Sequence, residues 1–284
     1  MTTPKQGRIL LLASYPKSGN TWVRALLSAL EAEGRDLDLH ALEGEMVTSL
    51  HPRICPFPFN LLNQEEQDLW HADACRASVS PTCPLTLLKT HLALRPDLTG
   101  RSLFPPEVVR GAIHIVRHPF DVVPSLANHI GGSLEDAISL LLESHATPGG
   151  DYGRSIPEHW GSWAEHTRSW LDGREPFPVL RIRYEDLKRS PSSTLRTIAA
   201  FAGRGEIGDE TLEKAIEASS FDRLRSQEVR RGFPERPSDS RRFFRSGRLG
   251  EGWEVLDTSQ RERILSHCRP EMSRLGYSSE APTP

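Results

Sequence analysis

The chain has 284 residues, long enough for one large domain or two small ones. Hydrophobic residues make up 37% and charged residues 26%, which suits a globular protein, and the formal net charge of −3 gives no overall basic character with which to attract nucleic acid. The apolar run near the N-terminus is too short for a membrane span and lacks the layout of a signal peptide, so a cytoplasmic protein with no membrane association is expected.

In chain order, the first apolar run is RILLLAS (8–14), followed by a helical pattern over 21–33. Residues 51–84, rich in Pro and Cys, read as an irregular interruption of the first crossover. Within it, His51-x3-Cys55 and His71-x3-Cys75 match no common zinc spacing, and Cys55, Cys75, Cys83 and Cys268 form no C-x-x-C pair, so reduced thiols and no metal are expected. The runs LTLLK (85–89), AIHIVR (112–117) and FPVLRIRY (177–184) are apolar through their middles, as in parallel strands covered on both faces. Helical patterns cover 119–130, 134–146, 158–172, 191–203, 209–218 and 258–275. Ser133 three before Asp136 and Ser190-Pro191 serve as start signals, and Gly173 and Gly203 as ends. Trp160, Trp163 and Trp170 read as a core stripe on one helix. Residues 230–248, turn-rich and basic, show no regular element. Strands alternating with helices predict a three-layer α/β fold with a central, mostly parallel sheet of four to five strands. The chain reads as a single domain, 1–284, in which 40–84 and 221–250 serve as mobile substrate and cofactor loops.

The junction Tyr15-Pro16-Lys17-Ser18-Gly19-Asn20-Thr21-Trp22 carries the first chemical signal. A helix start leaves N–H groups unpaired and carries partial positive charge, so a loop ending there suits an anion. Gly19 allows close backbone approach, Lys17 adds a full charge, and Ser18 and Thr21 add hydroxyls. An ordinary βα turn would carry the same letters. The loop is not G-x-x-x-x-G-K-[ST], and AIHIVR ends in Arg117 where a metal-dependent nucleotidase would place Asp. The anion is therefore met by protein cations.

This octet resembles the 5′-phosphosulfate loop of the sulfotransferases that use 3′-phosphoadenosine 5′-phosphosulfate (PAPS), and further matches follow in order. The resemblance implies a P-loop-like fold, PAPS as co-substrate with no metal, and cofactor contacts from Lys17, Ser18, Gly19, Asn20, Thr21 and Trp22. In LLKTHL (87–92) it places a catalytic base at His91 with Lys89 beside it; a neutral imidazole is matched to taking an alcohol proton near pH 7. In IVRHPFDVVPSLANH (115–129) it gives the 3′-phosphate to Arg117 and Ser125. In VLRIRYEDLKRSP (179–191), Tyr184 lies near the adenine, while Glu185 and Asp186 support the following turn. In SSFDRLR (219–225), Phe221 packs on the adenine opposite Trp22, though either ring could equally be core. In FFRSGRLGEGWEVL (243–256), Arg245, Ser246 and Gly247 close over the cofactor; Ser246 replaces a usual lysine, and Gly252 stands where aspartate is common.

Segment 221–248 holds nine arginines against four acids, which suits a polyanionic nucleotide. The acceptor expected is a small-molecule or natural-product hydroxyl, with candidate walls at 40–84 (including Phe57 and Phe59), 130–155 and 230–244. The rivals are a P-loop kinase using ATP–Mg²⁺ and a non-catalytic nucleotide-binding module. The dimer motif K-x-x-x-T-V-x-x-x-E of mammalian relatives is absent from WEVLDTSQRE, which leaves monomer and homodimer both open.

Overall fold

The computed structural model describes residues 8–32, 37–56, 61–80, 82–83, 85–144, 159–173, 175–237, 240 and 242–278. Five strands, β1 (Ile9–Ser14), β2 (Glu45–Met46), β3 (Thr86–Thr90), β4 (Val109–Val116) and β5 (Val179–Arg183), form one parallel sheet in the order β2-β3-β1-β4-β5. Its helices are α1 (Asn20–Glu31), α2 (His51–Ile54), α3 (Gln64–Ser78), α4 (Pro119–Ile130), α5 (Leu134–Leu142), α6 (Trp163–Asp172), α7 (Tyr184–Arg189), α8 (Pro191–Phe201), α9 (Asp209–Ala218), α10 (Phe221–Arg231), α11 (Glu251–Val255) and α12 (Thr258–Arg274). The central strand explains the unbroken apolar run: Leu10 and Leu12 enter a core with α1, α8 and α9, while Ile9, Leu11 and Ala13 enter a second core with α3 and Trp170. A third core joins α4, α5, α6 and α12.

The chain runs from β1 out to β2 and β3 on one side, then to β4 on the other. The order therefore reverses at β1, where α/β sheets bind ligands beyond their carboxyl ends. The segments leaving β1, β3 and β4 meet there.

Several expectations need correction. Residues 51–84 are not irregular: α2 and α3 lie there, and α3 starts on a capping box between Asn63 and Glu66. The 221–250 segment is not a loop throughout, because its first eleven residues are α10. β5 stops at Arg183, and Tyr184 opens α7. Helices α5 and α6 are shorter than expected, so Trp160 precedes its helix, although Trp160, Trp163 and Trp170 are all buried. Ser133 caps α5 through Asp136 as expected, whereas Ser190 occupies the α8 cap position without a side-chain bond. Gly203 ends α8 with positive φ, but Gly173 closes α6 with φ −54°.

Candidate active site

The β1–α1 junction is wound tightly. Lys17 sits at φ 66° and Gly19 at φ 109°, both in the left-handed region that only glycine adopts freely. A β-carbon on Gly19 would also stand 2.7 Å from Tyr184 Cδ2. Asn20 anchors the turn by donating from Nδ2 to the Leu12 carbonyl at 2.9 Å. Ser18 Oγ is buried without a partner among the described residues, as a hydroxyl held ready for an anion would be. Thr21 is half-buried one residue into α1. The Lys17 Nζ lies 4.0 Å from the Phe243 ring centroid; burial, with Arg117 nearby, pushes its ammonium down to about 7.

Past β4, Arg117 is buried and spans two carbonyls: Nη1 donates to Lys17 O at 3.2 Å and Nη2 to Arg248 O at 3.0 Å. Its guanidinium lies 4.4 Å over the Tyr184 ring, and its Nε is buried without a partner among the described residues. Trp163 fixes the Arg117 carbonyl at 3.2 Å, so one of the core tryptophans braces the site. Ser125 is half-buried two turns into α4. Tyr184 donates its hydroxyl to Gly247 O at 3.0 Å and meets Trp22 edge-on at 5.6 Å. Phe221 lies so close to Gly247 that a β-carbon there would stand 2.7 Å from its ring. Trp22, Tyr184, Phe221 and Gly247 therefore gather, and Trp22 and Phe221 also pack partly against the core. Arg245 pairs with Glu251 at 2.6 Å, and Ser246 Oγ accepts weakly from Arg248 N at 3.4 Å.

Two residues that sequence reasoning passed over hold this closing loop. The buried Asp121 carboxylate accepts the N–H groups of Gly250 and Gly252, each at 2.8 Å. Gly252 has no room for the commoner aspartate: a β-carbon would stand 2.2 Å from Phe120 O. Glu228 on α10 accepts from Phe243 N at 2.6 Å and Phe244 N at 2.9 Å. A sequence signal existed for Asp121, an acid in the first turn of α4, though the loop it holds lies 129 positions away. Glu185 braces distant segments rather than the turn that follows it, accepting from His118 N at 2.9 Å and Tyr277 Oη at 2.8 Å.

At the end of β3, His91 Nδ1 lies 2.7 Å from the Ser14 carbonyl. A carbonyl only accepts, so Nδ1 carries the hydrogen and Nε2 keeps its lone pair. Burial pushes the imidazole down to about 4, against the hydrogen bond to Ser14. The imidazole is therefore uncharged at pH 7. The Lys89 ammonium meets Glu235 Oε2 at 2.6 Å, and Glu235 Oε1 meets Arg24 Nη1 at 2.6 Å. His129 on α4, also missed, has a buried Nδ1 without a partner among the described residues. Burial, then the positive charges of Lys17, His91 and Lys89, push it down to about 3. It stands 6.5 Å from the Phe243 ring that carries Lys17 on its face.

Of the expected acceptor walls, Phe57, Phe59 and 145–155 lie outside the described residues. His51 Nε2 and His71 Nδ1 meet at 3.0 Å, and Cys55 and Cys75 are free buried thiols. Among the described residues no three His, Cys, Asp or Glu side chains are placed to hold a metal ion. The arrangement can therefore cradle an anion with Lys17, Arg117 and loop amides, and present a neutral base and a second lysine beside it.

Comparison with known proteins shows the family. A family model described as Sulfotransferase domain matches residues 8–276. The chain is 27% identical to rat Sulfotransferase 1A1 over 93% of its own length and 84% of the relative's. It is 26% identical to Arabidopsis thaliana Cytosolic sulfotransferase 14, covering 90% and 72%. Among solved structures, mouse sulfotransferase SULT7A1 complexed with PAP superposes with a TM-score of 0.60 at 22% identity, covering 95% of this chain and 86% of that one. A retinol dehydratase in complex with androsterone and PAP gives 0.62 at 19% identity, covering 96% and 82%. At these identities the structural likeness speaks for the fold.

Proposed function

The chain belongs to the sulfotransferase-domain family and is a PAPS-dependent sulfotransferase, and on that premise we propose which of its residues carry the sulfuryl group to a small-molecule hydroxyl. The observation that supports the assignment most is the meeting of Lys17, Arg117 and His91 at the strand ends where the sheet order reverses. Lys17, Ser18 and the amides of 18–22 receive the 5′-phosphosulfate. Arg117 and Ser125 receive the 3′-phosphate, and Trp22, Tyr184, Phe221 and the 245–247 loop enclose the adenine.

His91 Nε2 takes the acceptor's hydroxyl proton as the oxygen attacks sulfur and the S–O bond to the 5′-phosphate breaks. Lys17 meets the charge that develops on the departing phosphate oxygen, and Lys89 faces the sulfuryl group in transit. Placed cations in a water-poor site are worth about 3–4 kcal/mol for a single donor. No metal enters the scheme, because protein cations supply the positive charge.

Among the described residues no helix is long and apolar enough to cross a membrane, and a cytoplasmic location belongs to the proposal. The test is incubation with PAPS and a panel of hydroxylated metabolites, read by mass for sulfated product. Sulfation of one class of hydroxyl is expected. Stabilisation by ATP–Mg²⁺ but not by PAP in a thermal-shift comparison would favour the kinase reading, and PAP binding with no sulfated product from any acceptor would favour the non-catalytic module.

A further inference from the structure

Lys89 has a long, flexible side chain, and holding it in one place costs rotamer entropy that a partner must offset. That partner is Glu235, at 2.6 Å. The carboxylate is itself held by Arg24, two residues beyond Trp22 on α1. Arg24 is pinned in turn: its Nε donates to Glu43 O at 2.6 Å and its Nη2 to Leu42 O at 3.2 Å. Its side chain is 4% exposed, that of Lys89 11% and that of Glu235 29%. A carboxylate alone against a working lysine would cancel its charge toward a bound anion. Two cations sharing one carboxylate leave the trio with a net charge of +1. Glu235 also belongs to the 232–250 segment that carries Phe243 onto Lys17 and Gly247 onto Tyr184.

We propose that Glu235, held by Arg24, is the positioning residue that aims the Lys89 ammonium at the transferring sulfuryl group. This deepens the sulfotransferase reading and rests on it. The carboxylate touches no reacting atom; it acts through Lys89. Among the groups near Lys89 and His91 are Glu235, Lys17 and His129, with His166 also near His91, and Arg24 stands behind the carboxylate.

PAPS carries the sulfuryl group and PAP does not, so the ratio of their affinities isolates what Lys89 does for that group. In the full-length chain, Glu235→Gln should lower the PAPS-to-PAP affinity ratio about tenfold and leave PAP binding at the parental value. Glu235→Asp should restore part of the loss. Lys89→Met should lower the ratio similarly, and the Lys89→Met/Glu235→Gln pair should lose no more than either alone.

The second readout needs no nucleotide. The chain has five lysines, Lys5, Lys17, Lys89, Lys188 and Lys214, so ¹³C-dimethylation gives a spectrum in which Lys89 can be assigned by its absence in Lys89→Met. Its signal should move and broaden in Glu235→Gln. An unchanged Lys89 signal with an unchanged affinity ratio overturns the proposal, as does a double variant whose losses add. Failure of the parent chain to bind PAP would instead defeat the nucleotide reading, and the Lys89 signal would still decide whether Glu235 positions that lysine.

Discussion

The two ends of the proposed site are held by different means. At the nucleotide end, backbone conformation dominates: left-handed residues at 17, 19, 247 and 250 shape short contiguous loops, and Asp121 pins the last of them through two amides. At the acceptor end, side-chain charge dominates, and its key pair, Arg24 and Glu235, lies 211 positions apart. A backbone site is written into neighbouring residues, whereas a charge-paired site exists only once distant segments have folded together. Motifs therefore mark where a phosphate is received and say little about what steers the chemistry beside it.

Variants that move one end alone put this contrast to work. His91→Ala should cost about a thousandfold in kcat and leave PAP affinity unchanged, by single-turnover product analysis and calorimetry; a loss of PAP affinity instead would erase the division. Lys17→Ala stands at the border and should cost about a hundredfold in kcat together with weaker nucleotide binding. Arg117→Ala should raise the Kd for PAP about thirtyfold and spare kcat at saturating donor, and a kcat defect as large as that of His91→Ala would refute its assignment.

The pH dependence separates the ends as well. His91 works once deprotonated, above about 4, and Lys17 receives an anion while protonated, below about 7. The profile of kcat/KM for PAPS should therefore rise through about 4 and fall as pH climbs past about 7. A bound polyanion favours the charged lysine, so the alkaline limb of kcat should lie higher than that of kcat/KM. Coincident alkaline limbs would remove Lys17 from donor binding. The mildest change, Asp121→Asn, can accept one amide hydrogen bond through its single carbonyl oxygen and should weaken PAP binding about threefold, measurable by calorimetry.

Four of the five parallel strands were readable as apolar runs, β1 most clearly because burial on both faces leaves no polar alternation, whereas β2, two residues with Glu45 exposed, left no such run. The phosphate loop was readable because its conformation demands glycine at a fixed place. Helix α3 was hidden by the prolines and cysteines around it, although Asn63 and Glu66 spell its cap. Helix α10 was hidden because it buries only Leu224 and Glu228, too little for an apolar stripe. Glu235 looked like one acid in an arginine-rich loop, and nothing local says that it faces Arg24 and Lys89. His129 closed the 115–129 stretch with no role of its own, and its place near Phe243 depends on how α4 packs against the distant 242–244 residues.

The contact between Gly19 and Tyr184 limits how this protein can change. A methyl group at position 19 would push the ring aside, and the ring in turn supports Arg117 and holds the Gly247 carbonyl. While that ring keeps its place, no residue larger than glycine fits at position 19. An engineer retuning donor preference would do better to vary Thr21 or Ser246 and leave that pair alone.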